Sequence, residues 1–374
     1  MLRTLVIFLL VTLYSFACIA QQCYVFVGSY NKDKTKEGIY VFKMDTVTGA
    51  LTKVSAVDSV LNPAYLTLSP DGNYLYACTE AKTPGAGSVS SYAFNPQTKA
   101  LTFINSQKSS GENPIYVATD NAGKWLLNGS YNEGSLSAYR LNNEGKIDSP
   151  AQVLTFTGTS LNKERQERSH IHSTVFSRNG RYLFAPDLGA DKIWCFAFDS
   201  TKQTPLQPTV QKFIKTIPGS GPRHLVFDAA GKYAYCTEEL TGTVSVYKYY
   251  KGKLKHIQRV NAHADSVTTQ FSSSDIHLSP DRKFLYASNR GEENNIAIYS
   301  IQKNGRLKLA GYQSTFGKTP RIFAISANGK FVIAANQSTG NIVVFKRNAT
   351  TGLLTYTGFE VKAEGATCVK IRQY

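Results

Sequence analysis

Imidazole, carboxylate and guanidinium side chains occur at corresponding places in several similar stretches of this sequence. They include His172, Arg223, Glu239, Arg290 and Arg321. Imidazole and carboxylate groups move protons near neutral pH, whereas arginines bind a carboxylate or phosphate bidentately and stabilise a developing oxyanion. Together these residue types predict a site that activates water or moves a proton beside a bound anion.

Two other kinds of chemistry find less support in the sequence. No Ser or Cys lies in a nucleophile elbow such as GxSxG, which disfavours a covalent acyl-enzyme. His170 and His172 resemble a pair of metal ligands, but no clear carboxylate partner accompanies them. We therefore expect neither a metal nor a cofactor.

These residues belong to a repeat of about 50 residues. Each copy has an apolar stretch, a turn, an aromatic-rich stretch and a further apolar stretch. The -DG-, -AG- and -NG- dipeptides indicate tight hairpins between alternating strands. Most copies have Gly at the turn and one has Arg; the turn residues are Gly72, Gly123, Gly180, Gly231, Arg282 and Gly329.

The repeat predicts the blade of a β-propeller. A third strand and a fourth, more polar strand follow each hairpin, and four strands per copy are typical of propellers. The seventh copy is split, because CYVFVGSY near the N-terminus resembles a second strand and EGATCVKIRQY at the C-terminus resembles the missing first strand. Their pairing closes the ring without an open edge. We predict an all-β, seven-bladed β-propeller as the single domain of residues 21–374, with a polar surface loop at 158–168.

Hairpin symmetry predicts which side chains share one end of the ring, here called the mouth. A hairpin brings residues equally far before and after its turn to the same end. Counting eight residues back reaches His172, Arg223 and Arg321, with His170 and His224 beside them, and counting eight forward reaches Glu80, Tyr131, Glu239, Arg290 and Gln337. We predict that His172, Arg223, Glu239, Arg290 and Arg321 converge around this mouth, with His170, His224 and Glu80 close by, and that together they form a site. The alternative is a solvated rim of unlike charges that merely pair.

Several motifs resemble those of one known family. SHIHSTVFSRNGRYLFAPDLGADKI, GPRHLVFDAAGKYAYCTEEL and DIHLSPDRKFLYASNR look like segments of the seven-bladed 6-phosphogluconolactonase family, which includes the fungal carboxy-cis,cis-muconate lactonizing enzyme. The resemblance implies that the His of HxH, the Arg of GPRH, the Glu of EEL and the Arg of SNR form the site. In this sequence these are His172, Arg223, Glu239 and Arg290. The resemblance therefore implies that these four act in catalysis, and we expect the other mouth residues to bind substrate: His170, His224, Arg321, Glu80, Tyr131 and Gln337.

The motifs depart from the family pattern at two places. Ser169 precedes HxH where the family often has Pro, and Tyr116 lies in NPIYV where the family often has NPCHV. The resemblance implies hydrolysis of a small anionic or sugar lactone, with water activated by Glu239 or His172 and the arginines holding the anion and the carbonyl oxygen. A muconate-type cycloisomerase and a non-catalytic propeller that binds sugars or proteins are the alternatives.

Composition agrees with a globular protein that binds an anion. The chain has 374 residues, of which 42% are hydrophobic, and this excludes wholesale disorder. Its net charge of +16 indicates an anionic partner. Nucleic acid is not expected as that partner, because the chain has no long Lys/Arg run, basic helix or recognised binding motif.

The first 20 residues predict a secretory signal peptide. Arg3 precedes an apolar run from Leu5 to about Leu13 that is too short for a membrane span, and we expect cleavage near Ala20. Membrane anchoring by this segment and lipoprotein cleavage before Cys18 are the alternatives. We therefore expect an exported, periplasmic or extracellular protein without a membrane span.

The cysteines beyond this segment are widely spaced and include no CxxC pair. This pattern predicts buried single thiols rather than a disulfide framework. The alternative is one bond between Cys23 and Cys368, if the two ends of the chain meet.

Overall fold

The computed structural model describes residues 21–374, and all of their regular structure is β-strand. The strands form seven antiparallel sheets of four strands each, which confirms the predicted propeller. Within this range no helix is long and apolar enough to cross a membrane. The predicted signal peptide, including Cys18, lies outside the described residues.

Each sheet is one blade, and the blades are numbered around the ring. Blade 1 combines β1 (Cys23–Ser29), β2 (Ile39–Met44) and β3 (Leu51–Val57) with the C-terminal strand β28 (Ala366–Gln373). Blade 2 contains β4 (Tyr65–Leu68), β5 (Tyr74–Thr79), β6 (Ser88–Asn95) and β7 (Ala100–Lys108). Blade 3 contains β8 (Pro114–Thr119), β9 (Trp125–Ser130), β10 (Ser135–Leu141) and β11 (Ile147–Thr155).

The remaining blades follow in chain order. Blade 4 contains β12 (Val175–Phe176), β13 (Tyr182–Asp187), β14 (Lys192–Phe198) and β15 (Leu206–Lys215). Blade 5 contains β16 (Pro222–Phe227), β17 (Tyr233–Glu238), β18 (Thr243–Tyr250) and β19 (Lys253–Asn261). Blade 6 contains β20 (Ser273–Leu278), β21 (Phe284–Asn289), β22 (Asn295–Ile301) and β23 (Leu307–Ser314). Blade 7 contains β24 (Pro320–Ile325), β25 (Phe331–Asn336), β26 (Asn341–Arg347) and β27 (Leu354–Lys362).

The hairpin turns of blades 2 to 7 share one backbone conformation. Their turn residues have φ angles between 62° and 83°, in the left-handed region that glycine adopts at little cost. Arg282 keeps this conformation in blade 6, with a φ of 64°, although it carries a Cβ. The repeat therefore imposes the turn even where its glycine is replaced.

The chain closes its ring by pairing its two ends, as the sequence predicts. Strand β1 lies between β2 and β28, with Val25 opposite Ile371 and Val27 opposite Val369. Beyond the ladder, the N–H groups of residues 22 and 374 donate to each other's carbonyl oxygens at 3.0 and 2.8 Å. Blade 1 is thus complete only when both ends are in place.

The five cysteines of the described residues are buried and unpaired, which confirms the predicted single thiols. The alternative disulfide is wrong. Cys23 lies opposite Gln373, whereas Cys368 lies opposite Gly28, so the two thiols are at opposite ends of the β1–β28 ladder.

The hydrophobic core lies between neighbouring blades. Phe184 of blade 4, for example, packs edge-on or tilted against Phe227 and Tyr249 of blade 5. Inner strands bury both of their faces, whereas the outermost strands β19 and β27 are largely exposed. The mouth residues therefore extend from the most firmly packed strands of the ring.

Candidate active site

Glu239 is the centre of a buried ion-pair cluster at the mouth. Its Oε2 accepts a hydrogen bond from Arg223 Nε at 2.8 Å and lies 2.9 Å from Arg290 Nη2. Arg223 is near the start of β16, while Glu239 and Arg290 follow the ends of β17 and β21. His172 Nε2 lies 3.9 Å from the same oxygen. The four side chains predicted to act in catalysis are thus brought together.

The other oxygen of Glu239 is bound by a residue that the sequence analysis missed. Arg165 Nη2 donates to Glu239 Oε1 at 2.7 Å and to Tyr131 Oη at 3.2 Å. Arg165 belongs to the loop 158–168, which is mostly exposed, but it is anchored by its neighbour Gln166, whose buried side chain donates to a backbone carbonyl. The extra length of this loop is the only signal in the sequence that could have drawn attention to it.

Glu239 is an ionised carboxylate. Burial by itself would raise its pKa, but the charges of Arg290, Arg223 and Arg165 lower that pKa well below its ordinary value. A carboxylate bound by three guanidinium groups is a weak proton acceptor. Glu239 is therefore better suited to holding the arginines together than to acting as a base.

His172 is a neutral imidazole next to this cluster. Burial, and then the charges of Arg223, His224 and Arg321, lower the pKa of His172 well below its ordinary value. Its Nδ1 and the Nη1 of Arg223 are buried and have no hydrogen-bond partner among the described residues. Because an unpaired buried polar atom costs about 1–3 kcal/mol, both atoms are suited to meeting a ligand or a water molecule.

His170 supports the site from the side. Its ring stacks on Tyr131 with centroids 4.0 Å apart, its Nδ1 lies 2.8 Å from the Tyr131 carbonyl oxygen, and its Nε2 lies 3.2 Å from Glu167. The ring of His172 meets the same tyrosine edge-on at 5.7 Å. Because both nitrogens of His170 are engaged within the protein, this residue positions Tyr131, which in turn accepts the hydrogen bond from Arg165.

His224 continues the imidazole contacts away from the mouth. Its ring centroid lies 5.4 Å from that of His172. Its Nδ1 lies 2.8 Å from Asp275 Oδ1, and His277 Nε2 lies 2.8 Å from Asp275 Oδ2. Burial, and then the charge of Arg223, lower the pKa of His224 to about 3, although Asp275 opposes them. Sequence reasoning placed His224 beside the mouth but missed Asp275 and His277.

Two further cations surround Tyr30, and we call Tyr30, Lys82 and Arg321 the Tyr30 subsite. Lys82 Nζ and Arg321 Cζ lie 4.2 and 5.3 Å from the Tyr30 ring centroid. Neither cation has a salt-bridge partner within residues 21–374, and the Tyr30 hydroxyl is buried there without a partner. Partial burial, with the charges of Arg321 and Arg290, lowers the pKa of Lys82 to about 8. Lys82 was also missed, because it lies in a loop beyond the end of β5.

Two predicted substrate-binding residues lie at the mouth without joining the ion-pair cluster. Glu80 follows β5, and its carboxylate accepts a hydrogen bond from Ser88 Oγ at 2.5 Å. Gln337 follows β25 and is half-buried. Among the described residues, neither side chain hydrogen-bonds to Glu239 or its arginines.

Two buried carboxylates of the PDLGAD motif hold the chain segments that carry the site. Asp187 accepts hydrogen bonds from Ser169 Oγ at 2.5 Å and from the backbone N–H of His170 at 2.8 Å. Asp191 accepts hydrogen bonds from the backbone N–H groups of Gly219 and Gly221, in the turn that precedes Arg223, at 2.6 and 2.7 Å. The motif thus holds the backbone segments that lead to His172 and Arg223 without itself joining the ion-pair cluster.

Comparison with known proteins agrees with this geometry. Residues 24–371 match a family model described as lactonase, seven-bladed β-propeller. Proteins named 6-phosphogluconolactonase from Formosa agariphila and Bacillus subtilis are 41% and 33% identical to this chain, over 94% and 92% of it and 99% and 97% of their own lengths. The solved structure of a periplasmic gluconolactonase from Pseudomonas aeruginosa is 31% identical, with a TM-score of 0.89 over 94% of this chain and 99% of that one. The resemblance is confirmed, and the chain belongs to the lactonase family of seven-bladed β-propellers.

Proposed function

We propose that the protein hydrolyses a sugar lactone to the corresponding hydroxy acid at the Glu239 cluster. The observation that carries this proposal is that His172 and Arg223 both lie beside one Glu239 oxygen and each keeps a second buried nitrogen, Nδ1 and Nη1, without a hydrogen-bond partner among the described residues. Hydrolysis of a lactone needs a base for water and a donor for the carbonyl oxygen. The names of the relatives support the same reaction class.

In the proposed reaction, His172 accepts a proton from water while the water oxygen bonds to the lactone carbonyl carbon. Arg223 and Arg290 stabilise the negative charge on the carbonyl oxygen of the tetrahedral intermediate. The ring C–O bond then breaks, the ring oxygen takes up the second proton of the attacking water from the hydroxyl of the intermediate, and the product carboxylate remains beside the arginines. Glu239 keeps these guanidinium groups in place between turnovers.

Water is a better candidate nucleophile than a thiol. Burial raises the pKa of Cys23 to about 11 and that of Cys195 to about 12, and it also raises the pKa of Cys368. A thiol attacks as the thiolate, so these side chains are inert at neutral pH.

The Tyr30 subsite supports a substrate with an anionic substituent. The mouth contains the carboxylates Glu80 and Glu239 and the cations Lys82, Arg165, Arg223, Arg290 and Arg321, so positive charge is in excess. Uncompensated positive charge in a partly buried site is unfavourable until an anion binds. Lys82 and Arg321 therefore suit a phosphate or carboxylate group that the lactone carries away from its carbonyl.

We also propose that the protein acts after export. The sequence of the first 20 residues supports this, as does the similarity to a periplasmic gluconolactonase. The measurement is N-terminal sequencing of the protein from cell fractions. A mature chain that begins near Gln21 outside the cytoplasm supports the proposal, and an intact Met1 in the cytoplasm contradicts it.

The test of the hydrolysis is turnover of a panel of lactones: gluconolactone, its 6-phosphate and a carboxylated sugar lactone. We expect hydrolysis that falls by about 100-fold or more in kcat in His172→Gln and in Arg223→Gln. The exposed His256 provides a matched control, and His256→Gln should retain full activity. Unchanged turnover in both site variants would contradict the site assignment.

The same assay separates the alternative functions. A muconate-type cycloisomerase would use the same base and arginines, and the excess of positive charge at the mouth suits its polycarboxylate substrate. Ring closure of a carboxylated muconate without lactone hydrolysis would replace our proposal. Binding of sugar acids without any turnover would indicate a non-catalytic propeller.

A further inference from the structure

A line of titratable side chains runs from the site into the central channel of the ring. His224 of blade 5 meets Tyr65 of blade 2 and Tyr116 of blade 3 edge-on, with ring centroids 6.1 and 5.3 Å apart. A side chain that contacts blades across the ring lies in the central channel. The hydrogen bonds of the described residues engage Nδ1 of His224 with Asp275 and leave its Nε2 free.

Asp275 connects this channel histidine to His277. Both carboxylate oxygens of Asp275 are 2.8 Å from an imidazole nitrogen, and the backbone N–H of Phe323 also donates to Oδ2 at 3.2 Å. The Asp275 side chain is 4% exposed, whereas that of His277 is 32% exposed. His277 is next to the last residue of β20, which runs from the mouth towards the opposite face. The line therefore ends at a partly exposed imidazole far from the mouth.

The proposed hydrolysis releases a proton that must leave a buried site. A lactone and water give a hydroxy acid, and a carboxylic acid with a pKa of about 4 is ionised at neutral pH. Each turnover therefore yields one carboxylate and one proton. The mouth is a poor exit, because its excess of arginine and lysine charge repels a protonated buffer molecule.

We propose that His224, Asp275 and His277 form a relay that carries this proton from His172 to the far face of the ring. The inference rests on the proposed hydrolysis. His172 takes up the proton from the attacking water and passes a proton to Nε2 of His224 through one bridging water, since the two ring centroids are 5.4 Å apart. His224 then passes its Nδ1 proton to Asp275, and Asp275 passes a proton to His277. His277 then releases a proton to solvent. Each group accepts one proton and releases one, so every charge is restored.

The surroundings of the relay exchange no protons near neutral pH. Burial would raise the pKa of Asp275, but His277 and His224 lower it well below its ordinary value, so the carboxylate stays ionised between turnovers. The other titratable or charged groups that face the three residues are Tyr65, Tyr116, Cys368, Arg223 and Arg321. Burial raises the pKa of both tyrosines and of the thiol, and the guanidinium groups remain charged. Protons can therefore move along the histidines and Asp275 without leaking sideways.

The dependence of kcat on buffer concentration tests the relay. Asp275→Asn interrupts its centre with little change of shape, and His277→Gln removes its partly exposed end without touching the buried core. In dilute buffer we expect kcat of both variants to fall by about 10-fold or more, and concentrated imidazole should restore it. The wild type and His256→Gln should show little dependence on buffer.

Recovery of kcat in imidazole distinguishes an interrupted relay from damaged packing, because added imidazole replaces a proton carrier but does not repair a distorted site. Insensitivity of kcat to buffer in both variants, or a loss of kcat that imidazole does not restore, overturns the relay and leaves the hydrolysis standing. Failure of the wild type to hydrolyse any lactone of the panel overturns both proposals.

Discussion

Glu239 binds three guanidinium groups through its two oxygens, and one of the three comes from a loop outside the repeat. Because Arg165 is the partner of Oε1, Arg165→Ala leaves a buried charged oxygen unpaired and loosens the arginines that face the substrate. We expect kcat/KM for the lactone to fall by about 10- to 100-fold in steady-state kinetics. Arg168→Ala is the control, since Arg168 lies in the same loop but is exposed. An equal loss in the two variants would show that the loop, rather than Arg165, matters.

The two neutral histidines of the site should make stability depend on pH. Burial first, and nearby arginines second, hold the folded-state pKa values of His172 and His224 below the unfolded value of about 6.5. Below that pH the unfolded chain binds protons that the folded chain does not, so the free energy of unfolding falls as the pH falls. This contribution is complete above about pH 6.5, and each group changes it by up to about 1.4 kcal/mol per pH unit below.

His172→Gln should remove one of these two contributions. Urea unfolding at a series of pH values between about 6.5 and 5 should show an average pH slope smaller by about 1 kcal/mol per unit than that of the wild type. His256→Gln, at an exposed position, should retain the wild-type slope. Equal slopes in His172→Gln and the wild type would mean that His172 is already charged in the folded protein.

At the scale of strands and turns, the hairpins offer a matched pair of positions. Arg282 and Gly231 occupy the same turn in neighbouring blades, with φ angles of 64° and 62°. Arg282→Gly should stabilise the protein by about 0.5–1 kcal/mol, because it relieves a left-handed conformation that disfavours a Cβ. Gly231→Ala should destabilise it by a similar amount, since the added Cβ meets only Arg178 Cβ at 3.8 Å and creates strain without a clash. The urea midpoints of unfolding measure both changes. A loss of stability in Arg282→Gly would contradict the claim that the backbone of Arg282 is strained.

At the scale of the whole molecule, blade 1 joins the two ends of the chain. Deletion of residues 366–374 removes β28, and β1 and the neighbouring blades then lose the strand that covers them. We expect the truncated protein to aggregate or to lose cooperative unfolding, because open sheet edges pair with other chains. Size-exclusion chromatography and urea unfolding provide the measurement.

A circular permutant is the control for this deletion. Residues 22 and 374 are hydrogen-bonded neighbours, so a short Gly-Ser linker can join them while the chain is opened in the exposed β14–β15 turn at 202–203. The permutant keeps every strand and should remain monodisperse and cooperative. A truncated protein that behaves like the permutant would show that β28 is dispensable for the closed ring.

The sequence by itself determined the ring and the end at which the site lies. Alternating strands and turn residues at a period of about 50 residues specify four-stranded blades, and the split copy specifies closure. Hairpin symmetry then placed His172, Arg223, Glu239 and Arg290 at one end, because residues equally far from a turn must be neighbours there. Hairpin symmetry can locate residues of one blade, and equivalent residues of different blades, because the repeat fixes their positions relative to the turns.

Only the tertiary structure decided which charged and titratable side chains lie in contact with one another. Arg165 and Lys82 belong to loops that have no period, and Asp275 of blade 6 meets His224 of blade 5 across a blade boundary that no local pattern encodes. The division of labour between Glu239 and His172 also depends on packing. Three arginines overcome the effect of burial and keep Glu239 ionised, whereas burial, followed by the charge of Arg223, keeps His172 neutral. The number of charges around a buried group is set only when the ring has closed.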